Sequence, residues 1–132
     1  MTDTTPGALS RAARARSGAK AYRNGVLAED AVERDYARRG LPSVAQRWRG
    51  QAGEVDLICA DGDGFVFVEV KRGDTHDAAL GRATARQIAR IVAAAGEFLA
   101  ARGLPLSTAL RLDIGLVDRL GQVATIENVT LA

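Results

Sequence analysis

Three charged side chains that could act together lie within the stretch GEVDLICADGDGFVFVEVK, residues 53–71: Asp56, Glu69 and Lys71. Two neighbouring carboxylates can hold Mg²⁺, a hard cation that binds carboxylate oxygens and keeps several waters. A nearby ammonium group can orient or deprotonate a water and offset negative charge that grows on a phosphate. The residue types therefore suit metal-assisted hydrolysis of a phosphodiester.

The same stretch has the pattern of two β-strands joined by a tight turn. Apolar and polar residues alternate on both sides of an Asp-Gly-Asp-Gly cluster. A two-residue turn at Gly62 and Asp63 would pair residues whose numbers sum to 125. Asp56 then lies opposite Glu69, and side-chain alternation puts Lys71 on the same face. A three-residue loop with a bulge would change this register.

Two explanations account for a pair of acids that face each other across strands. Like charges in direct opposition are unfavourable, so their charge must be compensated. A divalent cation bound between Asp56 and Glu69 is one explanation. The alternative is a ladder of cross-strand salt bridges in which Lys71 neutralises Glu69 or Glu54. The spacing leaves both open.

The elements that must position these residues follow from the patterns around them. Helices are predicted over residues 19–39 and 84–102, strands over 43–49, 109–117 and 123–127, and a loop over 72–82. This order indicates an α/β domain with a central mixed sheet and helices against it. Residues 1–18 have the composition of a disordered basic arm, which leaves residues 19–132 as a single domain. On the strand at 109–117, Arg111 and Asp113 are expected to form a structural pair.

Glu29 is unusual because it interrupts an aromatic stripe on the first predicted helix. Tyr22 and Tyr36 stand seven residues to either side of it, on the same helix face. Carboxylates are seldom buried without a partner. Glu29 is therefore expected either to pair with an arginine or to point into a polar cavity such as a metal site.

The charge distribution favours a site that acts on a polyanion. The net charge is +2, but residues 54–70 carry five acidic side chains and no basic one, whereas the flanking segments are basic. Side chains in those flanks are candidates for contacts with nucleic acid: Arg47, Arg49, Arg72, Arg82, Arg86, Gln87 and Arg90. The alternative for the arginines of the second helix is a solvated basic face.

The composition is that of one globular domain outside the membrane. The chain is 47% apolar and 26% charged, and no apolar run approaches the ~18 residues of a membrane span. The N-terminus lacks the apolar segment of a secretory signal. Cys59, the single cysteine, excludes an internal disulfide and a cysteine-cluster zinc site. We therefore expect a cytoplasmic protein without a membrane partner.

Asp56 followed by a strand turn and Glu-x-Lys resembles the active-site signature of the PD-(D/E)XK nuclease superfamily, which has the restriction-endonuclease-like fold. GEVDLI followed by FVFVEVK is similar, more specifically, to the YraN family of small bacterial proteins, which are themselves similar to Holliday-junction resolvases. The resemblance covers residues 19–117. It implies a central mixed β-sheet flanked by helices and a Mg²⁺-dependent nuclease, with Mn²⁺ as a substitute metal and DNA as the substrate.

The resemblance also implies roles for individual residues. Asp56 and Glu69 would hold the metal together with the backbone carbonyl of Val70, and Lys71 would be the catalytic lysine. Glu29 matches the first-helix glutamate of the family pattern and would support this metal or a second one. Resolvase-like relatives act as dimers on branched DNA, which adds a homodimer to the expectations.

Two departures from the family pattern keep a second function open. Gln87 stands where the family usually has a lysine, although a glutamine can still position a water or bind phosphate. Arg72 is followed by Gly73, where the family commonly has an arginine one place further on. A non-catalytic nucleic-acid-binding module that retains the nuclease fold is therefore the alternative to an enzyme.

Overall fold

A computed structural model of the protein describes residues 6–129, without the side chains of residues 6–13 and Tyr22. Its helices and strands follow one another along the chain as α1 (Pro6–Arg38), β1 (Ser43–Arg49), β2 (Glu54–Asp61), β3 (Gly64–Arg72), α2 (His76–Leu80), α3 (Ala85–Ala101), β4 (Leu110–Val117) and β5 (Val123–Ile126). Within the described chain, no helix has both the length and the apolar content that a bilayer span requires. A cytoplasmic location and a homodimer stay predictions.

The five strands form one mixed sheet in the order β1-β2-β3-β4-β5. Only β3 and β4 are parallel, and the other neighbouring pairs are antiparallel. Parallel neighbours need a crossover connection, which the segment containing α2 and α3 supplies. Helix α3 packs on one face of the sheet and α1 on the other. The predicted α/β architecture with a central mixed sheet flanked by helices is confirmed.

The central hairpin has the predicted register. Leu57 pairs with Val68 and Asp61 with Gly64, so the turn consists of Gly62 and the residue after it. Gly62 has a φ of +57°, a left-handed conformation that glycine adopts without steric cost. Because the register is fixed, the acids of β2 and β3 meet at the end of the hairpin opposite the turn.

Helix α1 is fixed closely against the sheet by packing and by a buried polar network. A Cβ atom at Gly115 of β4 would lie 2.9 Å from Cγ1 of Val32, so only glycine allows this approach. The hydroxyl of Tyr36 donates to Oδ2 of Asp113 at 2.6 Å, and Nε of Arg111 donates to Oδ1 of the same carboxylate at 3.1 Å. The predicted Arg111–Asp113 pair is confirmed. This anchoring fixes the orientation of α1 relative to the sheet.

Two element boundaries differ from the expectations. Helix α1 begins at Pro6 rather than at residue 19, so it includes residues 6–18 of the predicted arm; residues 1–5 and 130–132 lie outside the described chain. The division of the chain into a disordered arm and one domain stays a prediction. The segment predicted as a loop contains α2, which forms because Thr75 caps it by accepting the N–H of Ala78.

Candidate active site

A cavity of about 440 Å³ lies at the open end of the β2–β3 hairpin, and its wall includes residues of both α3 and α1. Its wall includes most of the side chains that the sequence predicts for the site: Glu29, Asp56, Glu69, Lys71, Gln87 and Arg90, together with Val70. These residues come from α1, β2, β3 and α3. The fold thus brings the four predicted catalytic side chains together, although they are up to 42 positions apart (71 − 29) in the chain.

Asp56 and Glu69 are neighbours at the point where the β2–β3 ladder ends. They lie one step beyond the pair of Leu57 and Val68. Oδ2 of Asp56 accepts the backbone N–H of Val70 at 2.8 Å, so the carboxylate takes the place of a ladder partner. Burial, the hydrogen bond with Asp56 and the negative charge of Asp56 together raise the pKa of Glu69 to about 9, with burial the largest cause.

The set of donor atoms at this point fits Mg²⁺. Mg²⁺ is commonly bound by one or two carboxylates, and it keeps waters or takes phosphate oxygens as its remaining ligands. Asp56 and Glu69 supply the two carboxylates, and Val70 lines the same wall. No group of three or more His, Cys, Asp or Glu side chains within residues 6–129 is arranged as a metal site. The donors therefore do not fit the closed, four-ligand sites typical of structural zinc.

Lys71 is close to Glu69 but is not hydrogen-bonded to it. The Nζ atom of Lys71 lies 3.9 Å from Oε2 of Glu69, and both side chains are largely buried. This separation allows electrostatic attraction, which lowers the pKa of Glu69, but it exceeds hydrogen-bond length. The cross-strand ion pair between Lys71 and Glu69 that the sequence allows is thus present without a hydrogen bond. Its effect on the pKa of Glu69 is smaller than the effect of burial.

Glu29 enters the cavity from α1 and is held by Arg47. Nε of Arg47 donates to Oε1 of Glu29 at 2.7 Å. Burial is the largest cause that raises the pKa of Glu29, and the charge of Asp56 raises it further, whereas Arg47 lowers it. Both predicted alternatives for Glu29 hold, since it pairs with an arginine and also lines a polar cavity. Arg47 has a φ of +50° within β1, an uncommon conformation for a non-glycine residue.

The loop between β1 and β2 forms part of the cavity wall and is held by Glu97 of α3. The carboxylate of Glu97 accepts the backbone N–H groups of Gln51 at 2.9 Å and Ala52 at 2.8 Å. A Cβ atom at Gly50 would lie 2.7 Å from Oε1 of Glu97, so this contact is tight. Sequence reasoning missed Glu97. No local sequence pattern marks it, because a helix residue next to the buried Phe98 points about 100° away from it.

One end of the Gln87 side-chain amide helps to cap the start of α3. Its Oε1 atom accepts the N–H of Thr84 at 3.1 Å, and Oγ1 of Thr84 accepts the N–H of Gln87 at 3.1 Å. This capping box begins α3. The amide nitrogen of Gln87 is thus the group left to contact a water or a phosphate. Arg90, one turn further along α3, also lines the cavity, and its charge lowers the pKa of Glu69.

The other predicted arginines do not converge on this cavity. NH2 of Arg49 pairs with Oε2 of Glu54 at 2.9 Å on the surface, and Arg86 is exposed on α3. Arg72 and Arg82 line a second cavity of about 480 Å³. Two further cations on the wall of the second cavity, Lys20 and Arg119, were missed, because no local sequence pattern places them near each other.

Comparison with known proteins gives a consistent family. The sequence model of the Uncharacterised protein family UPF0102 matches residues 28–117. A UPF0102 protein of Cereibacter sphaeroides is 48% identical over 116 residues, which cover 88% of this chain and 99% of that protein. A second, of Ruegeria pomeroyi, is 45% identical over 111 residues, covering 84% and 90%. A third, of Dinoroseobacter shibae, is 40% identical over 123 residues, covering 93% and 91%. The matched segment contains all the predicted catalytic residues.

Proposed function

The chain belongs to the uncharacterised protein family UPF0102, and from its cavity we propose that it is a Mg²⁺-dependent nuclease that hydrolyses phosphodiester bonds of nucleic acid. One observation carries the proposal: Asp56, Glu69 and Lys71 line a single cavity in which two partly buried acids lie beside an ammonium group. The Asp…Glu-x-Lys resemblance supports DNA as the substrate. The mixed sheet flanked by helices supports the proposed restriction-endonuclease-like fold.

The acids of the site would hold the ion. Asp56 and Glu69 would coordinate it with their carboxylates, and Val70 would add its backbone carbonyl. When bound, Mg²⁺ supplies Lewis-acid stabilisation of the phosphate oxygens, and Mn²⁺ would substitute because it also favours oxygen ligands. The raised pKa of Glu69 supports this role, because a divalent cation would compensate the charge that a proton compensates otherwise.

The remaining side chains of the cavity have roles that follow from their charge and position. The ammonium group of Lys71 would position or deprotonate the attacking water and offset the negative charge that grows on the phosphate. Arg90 adds a second cation to the same wall. Glu29, kept in place by Arg47, would be an additional acid near the ion. Gln87 would contact the substrate or a water through its amide nitrogen.

The test is cleavage of end-labelled single-stranded, duplex and branched DNA by the purified protein with Mg²⁺, Mn²⁺ or EDTA. Asp56→Asn and Lys71→Met are each expected to reduce the cleavage rate about 10²–10³-fold, the usual cost of removing one electrostatic contact in the transition state. Asp63→Asn makes the same change as Asp56→Asn at the far end of the hairpin and should cleave like the wild type. DNA that stays intact under all metal conditions would contradict the proposal, as would full activity in Asp56→Asn.

A non-catalytic nucleic-acid-binding module is the second candidate, and a specific observation favours it. Asp56 already accepts the N–H of Val70, and Gln87 already accepts the N–H of Thr84, so polar groups of the site also serve the fold. Binding and cleavage measured on the same samples separate the two functions. An enzyme loses cleavage and keeps DNA binding in Asp56→Asn, whereas a binding module binds DNA without cutting it even as the wild type.

A further inference from the structure

The second cavity, of about 480 Å³, lies at the carboxyl ends of the parallel strands β3 and β4, against α1. Four cations from four separate segments line it: Lys20, Arg72, Arg82 and Arg119. Among the ion pairs found within residues 6–129, none involves any of these four side chains. Cations that converge without carboxylate partners are typical of a site for an anionic ligand.

Two carboxylates also line the second cavity, but they do not balance its charge. Oδ1 of Asp118 accepts the backbone N–H groups of Leu120 and Gln122, at 3.0 and 2.9 Å, and so stabilises the turn after β4. Asp74 is exposed. With four cations and two acids on its wall, the second cavity keeps a positive excess of two charges (4 − 2), whereas acids dominate the first cavity.

The two cavities meet at the end of β3. Lys71 lines the first cavity and Arg72 the second, because successive residues of a strand point to opposite faces of the sheet. On α1, Glu29 lines the first cavity and its neighbour Ala28 lines the second. The proposed catalytic lysine and a cation of the second cavity are therefore adjacent in the chain.

We propose that the second cavity binds the phosphodiester backbone of a single nucleic-acid strand while the adjoining part of that strand occupies the first cavity. This inference rests on the proposed function, because it takes the first cavity as the place of the scissile phosphate. Lys20, Arg72 and Arg119 neutralise phosphates of the strand, with Arg82 beside them. The ligand class is thus a polyanionic strand rather than an isolated metabolite.

The position of the two cavities also indicates the form of the substrate. Because Lys71 and Arg72 point to opposite faces of the sheet, a strand that contacts both must turn around the end of β3. Duplex DNA has a persistence length of about 150 base pairs and resists such a turn, whereas a single strand bends readily. The substrate is therefore single-stranded nucleic acid, or the single-stranded tail of a duplex, rather than a continuous duplex.

The experiment measures binding of a short, fluorescently labelled single strand in EDTA, where cleavage does not interfere. Each phosphate contact on a single strand contributes about 0.7 to the slope of log affinity against log salt concentration. The double variant Lys20→Gln/Arg119→Gln should therefore bind more weakly, with a slope smaller by about 1.4. The variant Lys20→Arg/Arg119→Lys, which keeps both charges, should restore the wild-type slope.

Arg34→Gln is a control for the loss of one positive charge away from the second cavity. Arg34 is exposed on the same helix, about 21 Å along its axis from Lys20 at the usual rise of 1.5 Å per residue. This separation exceeds twice the Debye length of about 8 Å at physiological salt. The control should keep the wild-type slope. Wild-type protein should also bind the single strand and a tailed duplex more tightly than a blunt duplex.

The outcomes separate this inference from the proposed nuclease activity. A wild-type salt slope in Lys20→Gln/Arg119→Gln overturns the second cavity as a phosphate site, even where Mg²⁺-dependent cleavage is present. Equal affinity for blunt duplex and single strand overturns the substrate class. Binding that depends on Lys20 and Arg119 without cleavage in any metal supports the strand site and contradicts the nuclease. A mononucleotide that binds as tightly as the strand, and loses binding in the double variant, overturns the strand in favour of a nucleotide site.

Discussion

The fold disfavours the negative charge of Glu69. Its pKa is raised from 4.5 in the unfolded reference to about 9, first by burial and then by Asp56. Between these pKa values the folded state keeps a proton that the unfolded state has released. The free energy of unfolding is therefore expected to fall as the pH rises from about 4.5 to about 9. Urea unfolding in EDTA at a series of pH values measures this decline.

Glu69→Gln provides the comparison for this prediction, because the amide stays neutral at every pH. Its free energy of unfolding should change less with pH than that of the wild type over the same range. Asp63→Asn removes an exposed carboxylate at the far end of the hairpin and should retain the wild-type pH dependence. A wild-type free energy of unfolding that rises steadily across this pH range would contradict the raised pKa of Glu69.

Single residues differ in how far the sequence reveals their roles. Asp56, Glu69 and Lys71 could be predicted, because strand alternation and the turn chemistry set them on one face. The long-range hydrogen-bond partners of other residues could not be predicted. Tyr36 donates to Asp113 across 77 positions in the chain, and Glu97 accepts the N–H of a residue 46 positions away. Such contacts depend on the packing of distant elements, which no local pattern specifies.

At the scale of elements, Glu97 links α3 to the loop at residues 50–53. Its carboxylate accepts two backbone N–H groups, and hydrogen bonds to a charged group contribute about 1.5–3 kcal/mol each. Glu97→Gln keeps the size of the side chain but loses its charge and one acceptor oxygen. We therefore expect amide hydrogen exchange at Gln51 and Ala52 to accelerate about 10- to 100-fold, as measured by NMR.

Exchange at the N–H of Val70, which is bonded to Asp56, tests whether the effect of Glu97→Gln is local. It should stay at the wild-type rate, because the hairpin register does not depend on this loop. Glu127→Gln removes a different carboxylate, one that pairs with Arg39 at the surface, and should leave loop exchange unchanged. Unchanged exchange at Gln51 in Glu97→Gln would show that the loop is held by other contacts.

The elements themselves were predictable where their patterns were long or periodic. The strand β1, the hairpin and α3 lie close to their predicted positions because alternation or an apolar stripe identifies each of them. Helix α2 has only five residues in a segment rich in Gly, Asp and Thr, so its composition indicates a loop. It exists because the Thr75 cap and packing of Ala79 against the sheet stabilise a short helix.

At the scale of the whole molecule, the fold arranges charge in two neighbouring cavities. The acidic stretch at residues 54–70 supplies the acids of the first cavity, and basic side chains from both flanks line the second. The sequence predicted the acidic island and its basic surroundings. It did not predict that the cations would gather in a separate cavity at the ends of β3 and β4, because that depends on how α1 and the end of β4 pack.

From the proposed metal site we expect the stability of the whole domain to depend on divalent cations. A ligand that binds only the folded state raises the free energy of unfolding by RT ln(1 + [L]/Kd), about 2.7 kcal/mol at one hundred times Kd. Mg²⁺ is therefore expected to raise the thermal midpoint of the wild type. The rise should be larger at high pH, where a smaller fraction of Glu69 is protonated and fewer protons compete with the ion. NaCl of equal ionic strength controls for screening.

Asp56→Asn should lose most of the Mg²⁺ response, whereas Asp63→Asn should keep it. An equal response in Asp56→Asn and the wild type would mean that the ion stabilises the protein elsewhere, and the acids at the end of the hairpin would no longer be its site.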